Sequence, residues 1–256
     1  MRKTLLTLCL FGSMLASAAN GEPETPSTPV ADSTAIDTTQ VSTFTFDGYL
    51  FSRYVWRGVN FGASPSIQGQ LAYTASGLTV GCFVAKSLNG NAVGFSNTSN
   101  LFVSYKYKGV SLTVDDYFFY DEDNLDRYLD WSDTTLHFIE ARLRYDGEHC
   151  YGFAGYNVYG ADGINKDAFY IEAGYKFPKH GLSLFAGYLT DKSDLNFSTQ
   201  AGFTNIGVTK EKKLQFNDKF SLPLTCSVIV NPNYENIVDL PRVTRSFITM
   251  VIGTSF

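Results

Sequence analysis

The chain has 256 residues, a hydrophobic fraction of 44%, 18% charged residues and a formal net charge of −5. That length supports one large all-β domain or two small ones, and the charge balance excludes an electrostatic footprint for nucleic acid. Aromatic residues at 15%, with 16 Tyr and 21 Phe beside 22 Gly, point to many short strands rather than helices.

The first residues have the form of an export signal. Arg2 and Lys3 supply a positive start, Leu5 to Leu15 an apolar stretch too short to span a bilayer, and Ala16-Ser17-Ala18 an A-x-A cleavage site. Residues 1–18 are therefore expected to be a signal peptide. Residues 19–40, "ANGEPETPSTPVADSTAIDTTQ", are rich in Pro, Ser and Thr and carry no apolar period, so a flexible periplasmic leader is expected there. Once Cys9 is set aside with the signal, Cys82, Cys150 and Cys226 remain. They have no metal-ligand spacing and imply no disulfide framework, and they read as small apolar fillers.

From Val41 onward the pattern alternates with period two. Phe44, Phe46, Gly48, Leu50, Ser52, Tyr54 and Trp56 share one face; Thr45, Asp47, Tyr49, Phe51, Arg53, Val55 and Arg57 share the other. Alternation returns around Ile67–Tyr73, Leu101–Tyr107, Ile139–Tyr145 and Phe169–Tyr175, and it closes the chain with Ile248, Met250, Ile252 and Phe256. About twelve strands result. Their connections alternate between short ones, such as Ala75-Ser76-Gly77 and Lys108-Gly109, and longer ones, such as 87–98 and 121–133. That is the rhythm of a transmembrane up-and-down antiparallel β-barrel, spanning 41–256, with tight periplasmic turns and longer extracellular loops. Pro223, inside an apolar run, removes a ladder donor. Asp115-Asp116 sets a carboxylate on each face of one strand, so a bulge or an early exit from the membrane is expected there.

The stretch "FSRYVWRGVN", residues 51–60, decides which face is wet. Arg or Lys on the lipid face near the midplane costs about 2–4 kcal/mol and little in a wet lumen. Arg53, Arg57, Arg142 and Arg144 are therefore expected to line the lumen, with Asp47, Glu140 and Glu172 as counter-charges. Either they form a constriction that selects anionic or polar solutes, or the pairs satisfy one another and rigidify a plugged interior. Tyr54, Trp56, Tyr73, Tyr107 and Tyr145, at the ends of apolar faces, are expected in girdles at the lipid interface together with Phe256.

Residues 52–81 resemble the TorF-type porin family, whose first strand carries a signature near S-x-Y-x-[FW]-R-G. Here it reads Ser52, Tyr54, Trp56, Arg57 and Gly58, and the similarity continues through "PSIQG" (65–69), Tyr73 and "SGLTVG" (76–81). The ending "VIGTSF" is similar as well. The resemblance covers about an eighth of the chain and implies an outer-membrane barrel with channel activity.

Chemistry is sparse. Among His137, His149 and His180 none stands in a nucleophile–base–acid pattern. His180 belongs to "HGLS", which follows Pro178 and reads as a turn. Asp115, Asp116, Asp121, Glu122 and Asp123 cluster at the outer end of one strand and His137 opens the next, the nearest thing to a rim protease; a solvated acidic loop beside a lone interfacial His is the plainer reading. No enzyme activity, cofactor or metal is expected. The expected protein is a monomeric outer-membrane barrel of a Gram-negative bacterium that passes small polar or anionic solutes. Its expected partners are the bilayer, lipopolysaccharide and, through Phe256, the barrel-assembly machinery. A plugged structural or adhesion barrel and a rim hydrolase are the alternatives.

Overall fold

The computed structural model describes residues 42–62, 64–88, 97–120, 125–132, 135–160, 168–217, 220–239 and 243–256. The signal and leader expected at 1–18 and 19–40 and the acidic residues Asp121, Glu122 and Asp123 lie outside them. The strands are β1 (Thr43–Phe51), β2 (Val55–Trp56), β3 (Val59–Asn60), β4 (Ser66–Ala75), β5 (Leu78–Ser87), β6 (Asn97–Tyr107) and β7 (Val110–Tyr120). After them come β8 (His137–Asp146), β9 (Cys150–Tyr159), β10 (Phe169–Phe177), β11 (Leu182–Leu189), β12 (Gly202–Gln215), β13 (Ser221–Val230) and β14 (Ile248–Ser255). Twelve of them, β1 and β4 to β14, close an antiparallel up-and-down barrel in chain order, and β2 and β3 form a separate two-stranded hairpin. The expected fold and strand number are thus found.

Period two builds the wall, because successive side chains of a strand point to opposite faces. Outward stand Phe44 (74% exposed), Leu112, Leu143 and Met250 (58%). Inward and buried stand Gln70, Ser104, Thr113, Asp115, Glu140, Arg142 and Glu172. At one end the wall turns tightly: Ser76-Gly77 and Lys108-Gly109 take positive φ at both residues (54° and 81°, 47° and 83°), the two-residue turn whose twist matches paired strands. Outward Tyr73, Tyr105, Tyr107, Tyr145 and Tyr175 gather near this end, and outward Phe169, Tyr188, Phe203 and Phe247 near the other, with Ile171, Leu184 and Met250 among the aliphatic residues between.

The carboxylates of Asp115-Asp116 are accommodated without the bulge or early exit expected of them. β7 pairs with both neighbours in unbroken register through them, and the irregularities fall instead at Ile139/Glu140 and Gly187/Tyr188. Asp115 points inward; Asp116 points outward and is covered by the loop that holds the 3-10 turn Leu125–Leu129. Pro223 stands opposite Lys213 in β13, just beyond the stretch of β13 that β14 pairs. Cys82, Cys150 and Cys226 are free.

Candidate functional site

The interior holds a hairpin formed by residues 55–60, within the stretch "FSRYVWRGVN". β1 ends at Phe51; Ser52 makes the last wall contacts, its N–H donating to the Ile252 carbonyl (2.7 Å) and its hydroxyl accepting from the Ile252 N–H (3.0 Å). The chain then turns into the lumen as the β2–β3 hairpin. Arg57 (φ 50°) and Gly58 (φ 80°) make a two-residue turn of the kind seen at the short-turn end of the barrel, now inside it. A Cβ on Gly58 would lie 1.6 Å from the Thr204 carbonyl oxygen, so only glycine lets the tip reach the β12 backbone.

Tyr54 and Trp56, expected at the lipid interface, are therefore inside, 6% and 8% exposed. The physical reason is that alternation specifies opposite sides of a strand and not whether the strand remains in the wall. With Val59 and Phe61 they pack on Phe83, Tyr117 and Phe119 of the wall and on Leu195, Phe197 and Ile237 of the long connections. Trp56 lies 5.6 Å from the Tyr117 ring and 6.4 Å from Phe197, and Phe61 meets Phe197 edge-on at 5.1 Å. Such pairs add about 0.5–1.5 kcal/mol each beyond their buried area.

Below this apolar cluster lies the charged layer. Arg57, 1% exposed, forms a bidentate pair with Glu140, Nη1 to Oε1 at 2.8 Å and Nη2 to Oε2 at 2.7 Å, and Nη1 also donates to Asn196 Oδ1 at 2.8 Å. Its guanidinium sits 4.5 Å from the Trp56 ring and 4.4 Å from Tyr170. Tyr117 also donates its hydroxyl to Glu140 Oε2 (3.1 Å), and the tip is held once more by Asn231, which donates to the Gly58 carbonyl (3.1 Å). Arg142 pairs with Asp115 at 2.9 Å, and Arg144 with Asp146 at 2.6 Å and 2.8 Å. Glu172 accepts from the hydroxyls of Tyr151 (3.0 Å) and Tyr170 (2.6 Å) and from Asn205 Nδ2 (2.8 Å). Room for these side chains comes from glycines on adjoining strands: a Cβ at Gly155 would meet Glu140 Oε1 at 2.3 Å, and one at Gly187 the Tyr170 hydroxyl at 2.0 Å.

Of the residues expected in the lumen, Glu140, Arg142, Arg144 and Glu172 are buried inward side chains of the wall, and Arg57 reaches the same layer from the hairpin. Asp47 faces inward, half-buried, without joining an arginine, and Arg53 stands half-buried where the chain leaves the wall. The arginines do not form a bare cationic ring; each of Arg57, Arg142 and Arg144 faces a carboxylate. Asp115, expected in an acidic cluster at the outer end of its strand, is instead a partner inside the lumen, and Asp146 and Asn196 are partners that were not expected. The place of Asp115 was within reach of the sequence, since β7 sets it opposite Glu140; Asn196 comes from a connection 139 residues away from Arg57 and left no local signal. Tyr73, Tyr107, Tyr145 and Phe256 are outward and exposed, between 40% and 72%.

A second polar cluster lies on the outer side of the wall. His137 at the start of β8, fully buried, donates Nε2–H to the Tyr128 carbonyl (2.6 Å) and meets Asp116 Oδ1 through Nδ1 (2.8 Å). Trp131 stacks over its ring at 4.0 Å. Both nitrogens are engaged, so the imidazole fastens the loop to the wall. In the same loop the Arg127 guanidinium, bonded to Asp130 at 2.7 Å and 3.2 Å, holds that carboxyl down at about 2, with help from Ser132. His180 ends the turn Pro178–His180. Among the described residues no group of three or more His, Cys, Asp or Glu side chains is arranged to hold a metal ion.

No family model matches the chain, and no curated protein sequence matches it.

Proposed function

We propose that the chain is an outer-membrane β-barrel of the narrow-channel type, shut at rest by its own β2–β3 hairpin, and that it admits small polar solutes when that hairpin is displaced. The observation that carries this reading is the inversion of polarity across the wall. Asp115, Glu140 and Arg142 are 0–4% exposed inside, while Phe44, Leu112 and Met250 stand 55–74% exposed outside. A soluble barrel would leave that apolar outer surface in water at great cost. Hydrocarbon accepts it, and a closed barrel leaves no lipid-facing backbone edge over the paired part of its wall. Two bands of outward aromatics suit the two interfaces, and Phe256 ends an alternating final strand. The resemblance of residues 52–81 to the TorF-type porins points the same way.

A barrel built only as a scaffold needs no charged layer, since apolar side chains of equal volume would pack as stably. Buried polar atoms such as Gln70 Nε2, Asn100 Oδ1 and Asp47 Oδ2, which have no protein partner, suit a lumen that water enters. The charge pairs match one another, so the preference for anions expected from four arginines is not retained; with Arg57 lifted off it, Glu140 loses its paired arginine and cations are favoured. No catalytic role is assigned. The test is reconstitution: protein extracted by detergent, with heat-modifiable gel migration, is placed in planar bilayers. Rare or flickering openings selective for cations are expected, and anion selectivity would contradict the assignment. The plugged structural barrel is the second reading, favoured by the depth at which Arg57 is tied; it predicts no current from any variant that loosens the hairpin.

A further inference from the structure

The hairpin leaves a strand-shaped vacancy in the wall. β1 pairs with β14 only as far as Phe51 opposite Gly253, and Ser52 adds the contacts to Ile252. β14 runs on through Val251, Met250, Thr249 and Ile248, all paired with β13 on its other side. In this ladder Phe256 and Ile252 turn their backbone groups toward β1, so by the two-residue period the next groups on that edge belong to Met250 and Ile248. Among the described residues no strand takes them. At about 3.4 Å per residue the bare edge is roughly 14 Å long. It lies within the apolar band: Ile248 pairs with Val230, which pairs with Ile206, and Ile248 and Met250 are 60% and 58% exposed on the outer face. Unpaired backbone groups at that depth are strongly disfavoured in lipid.

Residues 52–57 have the pattern that this edge lacks. Continued in the register of β1, Tyr54 would stand opposite Met250 and Trp56 opposite Ile248. Both rings would point outward with Phe44, Phe46 and Leu50, and Arg53, Val55 and Arg57 inward. We infer that the free edge of β14 is a second seat for residues 52–57. The chain alternates between a closed state, with Arg57 on Glu140 and Trp56 on Tyr117, and an open state in which β1 lengthens along β14 and vacates the lumen. This inference rests on the proposed membrane channel for its meaning. It explains why a segment buried in a lumen alternates aromatic and basic residues as a lipid-facing strand does. It also explains the side-chain cap at Ser52, where the hydroxyl holds the Ile252 N–H. The two seats exclude each other. In the lumen the segment gains the Glu140, Asn196 and Asn231 bonds; on the wall it gains the ladder bonds of Met250 and Ile248.

Cysteine pairs distinguish the seats, in protein with Cys82, Cys150 and Cys226 replaced by serine. Trp56→Cys with Ile248→Cys is the open-seat pair. Leu50→Cys with Thr254→Cys, already opposite each other, is the control of the same class, since the Cα separation of such pairs, about 5.5 Å, suits a disulfide. Under mild oxidation of folded, heat-modifiable protein in membranes, the control should cross-link in every background. The open-seat pair should cross-link slowly, and several-fold faster when Glu140→Gln weakens the closed seat. Cross-linking of the control without any cross-linking of the open-seat pair, even with Glu140→Gln, would overturn the inference and leave the channel reading standing. In bilayers the oxidised open-seat pair should conduct steadily, and reduction should restore closure. A cross-link formed without current would support the second seat while overturning the channel.

Discussion

Asp115 and Asp116 are neighbours on β7 and are stabilised in opposite ways. Asp115 faces the lumen, is fully buried and is met by Arg142 at 2.9 Å, from the strand beside it. Asp116 faces outward, keeps 17% of its side chain exposed, and is met by His137 under a loop that brings Tyr128 and Trp131 over the ring. The wall itself supplies the inner pair. The outer pair needs a covering loop, because in the lipid setting proposed above nothing beyond an outward carboxylate offers a hydrogen bond. A barrel can thus carry charge on both faces of one strand, provided that the outward charge is roofed.

Breaking the inner pair should do the most damage. Arg142→Leu strands a fully buried carboxylate and should cost about 3–5 kcal/mol, measured as a fall in the urea midpoint of the heat-modifiable form. Replacing both partners, Asp115→Leu with Arg142→Leu, should cost less than the single change, because no charge is left alone; a larger loss from the pair would show that the lumen needs these charges for more than mutual satisfaction. On the outer face, His137→Ala should cost about 1–3 kcal/mol through the unpaired Asp116 and Tyr128 carbonyl, and it should open residues 125–132 to protease while leaving the wall intact. The smallest effect is a pH dependence confined to that loop. The Asp130 carboxyl is held at about 2, below its ordinary 3.8. Its bond to Arg127 is therefore fully present above the ordinary value and lost as pH falls toward 2, so protection of loop amides should fade only over that acid range.

The wall was legible in the sequence because period two over eight to fourteen residues repeats twelve times, and the dipeptides Ser76-Gly77 and Lys108-Gly109 mark tight turns. The inward sense of Glu140, Arg142, Arg144 and Glu172 followed from the cost of charge in lipid. What escaped was the path of residues 52–61. The alternation of β1 continues unbroken into Trp56, and no local property of Arg53 or Tyr54 tells a strand that stays in the wall from one that folds inward. The available clue was Arg57-Gly58 with Val59 directly behind it, a two-residue turn placed too soon after Phe51 for a second crossing. The partners that hold the hairpin, Asn196 and Asn231, lie on connections more than 130 residues away, where only the closed barrel brings them together.

In the proposed channel the β2–β3 hairpin alone shuts a lumen that is otherwise a path for small solutes. Gly58→Ala tests this most directly, because the added Cβ would collide with the Thr204 carbonyl at 1.6 Å and the φ of 80° disfavours any side chain, while the wall is untouched. Single-channel recording should find the variant open far more of the time than the wild-type protein, with cation preference, and still migrating as a folded, heat-modifiable barrel. A folded Gly58→Ala barrel that opens no more often than the wild type would contradict a gating role for the hairpin.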